Sequence, residues 1–419
     1  MKKLFMVLLA VGLVFALTLP AAAFDSEFGG YFRTRAYTQK DFSGYDSGSQ
    51  DLTRTDMRTR LFYTAVFSED FKFVNKFEFN SIFGDVNTGG EISSSTANRN
   101  IFRIKNSYAY FNLGAFNFMA GIQPRILNRG FLVDTDFAGL AVTYMAPGIN
   151  FPFIWMKAYE GGQGDDYNDF DVDYYALKPT FTFGNGSVTP TLTYMYSKDA
   201  SKWSITPGNK EVKVWFAGLD ADVKFGGGSV WFTGIYEGGT FEKIRSGYTT
   251  LTDSVDVQAY LLALGGKVDL GSADIHAQVF YATGDDTATA DKFEKFAVPR
   301  GQMYYWSEIM GYGIFDNQAS ANSCKDQIGN IMAANIGVGV KATDSLNIKA
   351  DLWHAKLAES NAAGDDVLGT EIDLVLTYSL MKNLNLDLVG AYLFAGDATY
   401  SGANDANPYE IGARLSFSF

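Results

Sequence analysis

The chain has 419 residues, with 34 Lys and Arg against 47 Asp and Glu, and its net charge of −13 argues against a nucleic-acid partner. A single cysteine excludes an internal disulfide framework and any cysteine-rich zinc or haem-attachment motif. Aromatic residues make up 16% of the chain and charged residues 19%, which is opposite to the composition of disordered proteins. We therefore expect an ordered protein without a metal site or cofactor.

The first 23 residues have the pattern of a secretory signal peptide. Two lysines, Lys2 and Lys3, precede an apolar run that ends at Leu19, and small alanines follow up to Ala23. The apolar run is shorter than the roughly 20 residues that a spanning helix needs. The sequence therefore predicts cleavage of residues 1–23 and a mature domain over residues 24–419.

Apolar and polar side chains alternate through most of the mature chain, which is the period of half-buried strands. Within residues 407–419, for example, Glu410 and Arg414 share the side opposite to the apolar residues. The pattern predicts 18 strands, with 16 as the alternative because the alternation is weak over 149–160 and 211–225. The predicted strands are 27–40, 54–68, 70–83, 102–113, 115–123, 137–146, 149–160, 171–184, 187–198, 211–225, 229–240, 254–270, 272–284, 333–343, 345–357, 366–380, 383–395 and 407–419.

The connections between these strands alternate between short and long. In hydrocarbon every backbone N–H and C=O needs an internal partner, so strands cross a membrane only as a closed ring. An even strand number, short periplasmic turns and long external loops are typical of outer-membrane barrels. We therefore expect an all-β fold, a transmembrane antiparallel up-and-down β-barrel, in the outer membrane of a Gram-negative bacterium. Lipid and lipopolysaccharide would surround it.

Two of the long connections are candidates for an inward fold that narrows the barrel. The connection 285–332 is too long to be idle, and its segment 304–315 is too apolar to lie in water. We interpret that segment as a packed lid or a subunit contact in preference to a sugar-stacking platform. The second candidate is 124–136. The role of Cys324, in the longer connection, stays open between a free thiol, an intermolecular link and an inert side chain.

The charges on the predicted inner face are unevenly distributed. The acidic side chains of the later strands include Asp351, Glu371, Asp373 and Asp387. Basic residues dominate the first five strands, and this predicted basic wall consists of Arg33, Arg35, Arg54, Arg58, Arg60, Lys72, Lys76, Arg103, Lys105 and Arg125.

Two interpretations of the basic wall follow. Positive side chains along a pore favour anions, and walls of low dielectric strengthen their field. Alternatively, the charges pair across neighbouring strands and only keep the lumen wet. The second interpretation is slightly favoured, because pairs of opposite charge on neighbouring strands are common in β-sheets.

Several segments resemble a known family. The terminal segment Tyr409–Phe419 ends in an aromatic residue with apolar residues alternating behind it, and resembles the assembly signal that outer-membrane barrels present to their insertion machinery. Its expected apolar contacts are Tyr409, Leu415, Phe417 and Phe419. Segments 58–61, 121–125, 139–144 and 304–313 are similar to segments of Gram-negative porins, both trimeric porin-like proteins and alginate-export-type barrels. The resemblance implies passive diffusion, often by homotrimers.

Together these expectations predict a non-enzymatic porin through which small hydrophilic solutes diffuse, with a bias to anions as one option. Three alternatives stay open: an exporter of an acidic polysaccharide, the barrel sheath of a porin-cytochrome electron conduit, and a surface adhesin without transport. The two histidines, His276 and His354, lack the partners of a zinc site.

Overall fold

The computed structural model of the chain describes most of the mature domain. The described residues are 24–46, 50–85, 101–161, 171–197, 209–243, 254–286, 289, 291–297, 299–400 and 405–419. The expected signal peptide, residues 1–23, lies outside them. Within the described ranges no helix is both long enough and apolar enough to cross a membrane.

Antiparallel strands make up nearly all of the regular structure. Their bounds are β1 (Asp25–Lys40), β2 (Leu52–Ser68), β3 (Phe71–Ile82), β4 (Ile101–Leu113), β5 (Phe116–Leu127), β6 (Val133–Ala146), β7 (Ile149–Tyr159), β8 (Val172–Leu177), β9 (Thr180–Phe183), β10 (Gly186–Ser197), β11 (Asn209–Phe225), β12 (Gly228–Lys243), β13 (Val255–Asp269), β14 (Ala273–Ala282), β15 (Lys292–Phe293), β16 (Ile331–Lys341), β17 (Leu346–Lys356), β18 (Val367–Met381), β19 (Leu384–Ala395) and β20 (Tyr409–Ser418).

These segments form one closed barrel. β8 and β9 are a single strand interrupted at Lys178 and Pro179, because both pair with β7 on one side and β10 on the other. The short β15 belongs to the connection between β14 and β16 and only touches β13. The first and last strands pair from Tyr31 opposite Ser418 onward, which closes the ring. The described residues therefore form 18 barrel strands. This confirms the expected fold and count, and the alternative of 16 strands does not hold.

The outer face of the barrel is apolar. Side chains in the middle of the later strands, such as Leu264, Ile336, Leu374 and Leu388, project outward with 42–57% of their surface exposed. Each lies next to an inward residue that is buried, because successive side chains of a strand point to opposite faces. This exposed apolar surface suits hydrocarbon, as the alternation in the sequence predicts.

The inner face is divided into two unlike parts. Over much of β6 to β14 it is apolar and buried, and it joins the connection between β14 and β16 in one hydrophobic cluster that also reaches residues of β16 to β19. From β16 through β20 to β4 it carries most of the charged residues. The apolar inner side chains include Phe137, Ile154, Met156, Tyr174, Met195, Val214, Phe216, Ile235, Val257, Leu261 and Phe280. This part of the interior is thus a packed core rather than a wetted wall.

The hairpin of β5 and β6 turns into this interior. β5 pairs with β4 only up to Ile122, whereas Gln123–Leu127 pair with β6. The expected connection 124–136 is therefore shorter than predicted, because both strands continue into it and only 128–132 links them. The Arg129 guanidinium of this tip lies 2.6 Å from Asp222 of β11. Phe131 is fully buried and stacks on Tyr304 at 3.8 Å between ring centroids.

Outward residues of the barrel should tolerate charge poorly. We expect Leu374→Arg to lower the free energy of unfolding by about 2–4 kcal/mol, the cost of arginine near the middle of a bilayer. The measurement is denaturant unfolding in lipid vesicles. The matched control is Val375→Arg on the adjacent residue, which lines an inner cavity of about 590 Å³. Equal losses in the two variants would contradict the assignment of faces.

Candidate functional site

In its described part, the 283–330 connection between β14 and β16 packs apolar residues into the barrel interior. Trp306 lies edge-on to Phe280 and to Trp353, with ring centroids 5.4 and 5.1 Å apart. Ile309 and Met310 are fully buried. The apolar segment 304–315 therefore lies against the inner wall, which accounts for its composition. We call the whole connection, residues 283–330, the inward loop.

Carboxylates of the wall bind backbone amides of the inward loop. Glu371 is fully buried and accepts hydrogen bonds from the N–H groups of Ile309 and Met310 at 2.6 and 2.9 Å. Asp373, two residues further along β18, accepts one from Glu308 at 3.3 Å. Two of the predicted acidic pore residues thus anchor the loop. Alternation in the sequence places them inward but does not reveal this role.

The other two predicted acids pair with bases of the wall. Asp387 lies 2.8 Å from the guanidinium of Arg414. Asp351 lies 2.7 Å from the ammonium of Lys349 and 2.8 Å from Nε2 of His276. These pairs reduce the net negative charge that the later strands present to the lumen.

Several bases of the predicted wall are paired with acids of neighbouring strands. Arg35 binds Asp56 through two hydrogen bonds of 2.8 and 2.6 Å, the geometry of a strong charge-assisted pair. Arg60 donates to Glu78 at 2.7 Å, and Arg58 lies 3.6 Å from the same carboxylate. These contacts agree with the interpretation in which charges pair across strands.

Three bases on β3, β4 and β5 have other partners. Lys76 lies over the ring of Phe62, 4.8 Å from its centroid. Lys105 forms an ion pair with Asp136, an acid carried into the lumen by the β5–β6 hairpin. Arg125 donates to the amide oxygen of Gln123 at 2.9 Å. The sequence alone does not reveal Asp136 as a partner, because the pair depends on the hairpin bending inward.

The remaining predicted bases are dispersed. Lys72 lies near the start of β3, and Arg103 is exposed near the start of β4. Arg54 contacts the inward loop through Asn317, with a hydrogen bond of 2.5 Å. The structure therefore brings together the bases of β1 and β2. Arg103 lies across from Glu78, the acid that Arg58 and Arg60 share, whereas Lys72 lies at the other end of β3.

Arg33 is the least compensated of the clustered bases. Its residue surface is only 7% exposed, and its Nε atom has no partner among the described residues. Its nearest acid is Asp316 of the inward loop, 3.7 Å away. Buried charges normally carry close partners because their desolvation is costly. Arg33 therefore retains an unused capacity to bind an anion.

The clustered bases face a cavity of about 490 Å³ in the lumen. Its walls are arginines of the first two strands, the bases Lys349 and Arg414 and acids of the later strands, and the inward loop. The lining residues that could contact a charged solute include Arg33, Arg58, Arg60, Tyr305, Glu308 and Asp316. A charged cavity of this kind can hold a small hydrophilic solute.

The predicted assembly signal lies on the closing strand. Tyr409 and Phe419 are 39% and 61% exposed, on the outer face. Phe417 contacts Phe32 of β1, with ring centroids 5.4 Å apart. Cys324 is half-buried in the inward loop. Recognition of the terminal strand by insertion machinery stays a prediction.

Solved structures share this fold. OpdK of Pseudomonas aeruginosa, solved with vanillate, is 12% identical with a TM-score of 0.59, over 94% of this chain and 98% of OpdK. It is an outer membrane protein. OccAB3 of Acinetobacter baumannii is 10% identical with a TM-score of 0.60, over 94% of this chain and 100% of OccAB3. No protein-family model matches the sequence, and no curated protein matches it. At these identities the likeness shows the fold.

The carboxylate of Glu371 should control how tightly the inward loop is held. We expect Glu371→Ala to leave the amides of Ile309 and Met310 without acceptors. Their hydrogen exchange should become faster, by a factor that corresponds to a loss of about 2 kcal/mol in the free energy of opening. Glu371→Gln is the control, since its remaining oxygen still accepts one bond and should lose less. Exchange unchanged in the alanine variant would show that the anchor is dispensable.

Glu308 of the inward loop has a strongly perturbed pKa. Burial raises the pKa of this carboxyl from 4.5 to about 7, with the N–H of Ile314 opposing the shift and Glu371 adding to it. Lys349 and Arg414, on neighbouring strands, also lower the pKa. Because Glu308 binds its proton more tightly in the packed loop than in a released one, packing is strongest below pH 4.5 and weakens as the pH rises to about 7.

This pH dependence can be measured by amide exchange in the inward loop, corrected for the intrinsic effect of pH. We expect protection of Met310 to fall between pH 4.5 and about 7 in the unchanged protein. Glu308→Gln should remove that fall, because the amide does not titrate. A fall of the same size in the variant would assign it to another group.

Proposed function

We propose that the protein is an outer-membrane porin through which small hydrophilic solutes diffuse passively, with a preference for anions. The closed barrel of 18 strands, the apolar outer face and the charged cavity support this function. The shared fold with the outer membrane protein OpdK supports the same location. In this proposal, residues 1–23 direct export, and insertion machinery recognises the terminal strand. The barrel then lies among lipid and lipopolysaccharide, and it functions as a monomer or a homotrimer.

The observation that carries the anion preference is the incomplete pairing of Arg33, whose nearest acid lies 3.7 Å away, beside Arg58 and Arg60. Basic side chains around a water-filled constriction lower the energy of an anion and raise that of a cation. Their field is strengthened because the packed part of the interior has a low dielectric constant. OpdK was solved with vanillate, a carboxylate, and this chain shares its fold. That likeness supports an anionic solute here.

The geometry also supports a constriction formed by two inward segments. The β5–β6 hairpin tip, 128–132, and the inward loop meet where Phe131 stacks on Tyr304. Since much of the inner face from β6 to β14 is packed with apolar side chains, the proposed path follows the basic wall on β1 and β2. No observation gives comparable support to a polysaccharide exporter, a cytochrome sheath or an adhesin. We also propose that the protein is not an enzyme.

The anion preference can be tested by reversing two charges. In planar bilayers under a KCl gradient, we expect the unchanged protein to favour chloride over potassium. Arg58→Glu combined with Arg60→Glu should shift the reversal potential toward potassium, because two positive charges of the cavity become negative. Potassium preference in the unchanged protein, unaltered in the variant, would contradict the anion preference.

The control for that experiment changes the same number of charges elsewhere. Lys224 and Lys382 are exposed in or beside short turns, and neither lines the cavity of Arg58 and Arg60. Reversing both should leave the selectivity nearly unchanged. Heat-modifiable mobility on gels and enrichment in the outer-membrane fraction would establish that each variant is folded and correctly located.

A further inference from the structure

A carboxylate of the inward loop lies where a solute anion would bind. Oδ2 of Asp316 is 3.7 Å from the guanidinium of Arg33 and 3.7 Å from that of Arg58. Its other oxygen, Oδ1, accepts a hydrogen bond of 2.7 Å from the hydroxyl of Tyr305. Asp316 thus stands between two competing partners, the basic wall on one side and a phenol of its own loop on the other.

The residues on either side of Asp316 are fixed to the wall. The ring of Phe315 stacks on Tyr37 with centroids 4.6 Å apart, and its carbonyl accepts a hydrogen bond from Arg35. The side chain of Asn317 accepts from Arg54 at 2.5 Å and donates to Gln39 at 3.1 Å. Both neighbours of Asp316 are therefore held in place by contacts with the wall.

Asp316 also separates two cavities. One, of about 490 Å³, reaches Arg60, and the other, of about 240 Å³, reaches Arg54. Arg33, Arg58 and Asp316 line both of them. A solute that follows the basic wall from one cavity to the other must pass the carboxylate of Asp316.

We propose that Asp316 is a displaceable gate, an internal carboxylate that occupies the position of the solute anion on Arg33 and Arg58 and moves toward Tyr305 when an anion passes. This inference rests on the proposed porin function. A distance of 3.7 Å exceeds the 2.7–2.9 Å of a direct charge-assisted hydrogen bond, so an incoming anion in direct contact can replace Asp316. During displacement the hydroxyl of Tyr305 keeps the Asp316 carboxylate hydrogen-bonded.

The gate predicts opposite effects for two substitutions. Asp316→Asn removes the competing charge and should raise the ratio of chloride to potassium permeability about fivefold, the factor that two loose ion pairs are worth. Tyr305→Phe removes the partner that holds Asp316 away from the arginines and should lower the same ratio. General damage to the loop would move both variants in one direction. The control is Asp344→Asn, an exposed acid beside Lys341, which should change nothing.

The outcomes separate the gate from the porin function on which it depends. If the unchanged protein prefers chloride and loses that preference in the Arg58 and Arg60 double variant, but Asp316→Asn leaves the permeability ratio unchanged, the gate is wrong and the porin function stands. If the unchanged protein does not conduct, both are wrong. Should Asp316→Asn lose its folded gel mobility, Tyr305→Phe decides: a lower ratio supports the gate, and an equal or higher ratio overturns it.

Discussion

The pairing of the first strand with the last is the constraint on which the rest of the structure depends. An open sheet in hydrocarbon would leave two rows of backbone groups without partners, at a cost of several kcal/mol for each group. Pairing between β1 and β20 removes both rows. Once the ring is closed, the direction of each side chain follows from its position in the strand, so lipid contact and lumen contact are assigned together.

A ring of 18 strands is too wide for its own side chains to fill, and this chain solves the problem unevenly. The inward loop and the β5–β6 tip fill the side of β6 to β14 with aromatic and aliphatic residues, as in the core of a soluble domain. Buried carboxylates such as Glu371 then satisfy loop amides that have left water. In the proposed porin, this packing leaves the strands with charged inner residues to line the path of water and solute.

Alternation in the sequence predicts the strands and the face on which each side chain lies, because a strand has only two faces. It could not predict which charges meet. Asp136, the partner of Lys105, lies on a hairpin that bends away from β4. Asp316 lies on a loop more than 250 residues from Arg33 in the chain. Both contacts depend on the tertiary fold. The alternation also does not reveal the apolar cluster inside the barrel, because an apolar inner face weakens the alternation over strands such as β7.

The two interpretations of the basic wall are compatible once its residues are considered separately. Arg35 is neutralised by direct contact with Asp56 and serves mainly to fix the sheet and hold the inward loop. Arg33 has no contact of that kind, although it is equally buried. Since a buried guanidinium is costly without a counter-ion, its position is stable only if an anion is close, whether from the loop or from solution. The incomplete pairing of one arginine, rather than the number of bases, is what makes this wall suited to exchange one carboxylate for another.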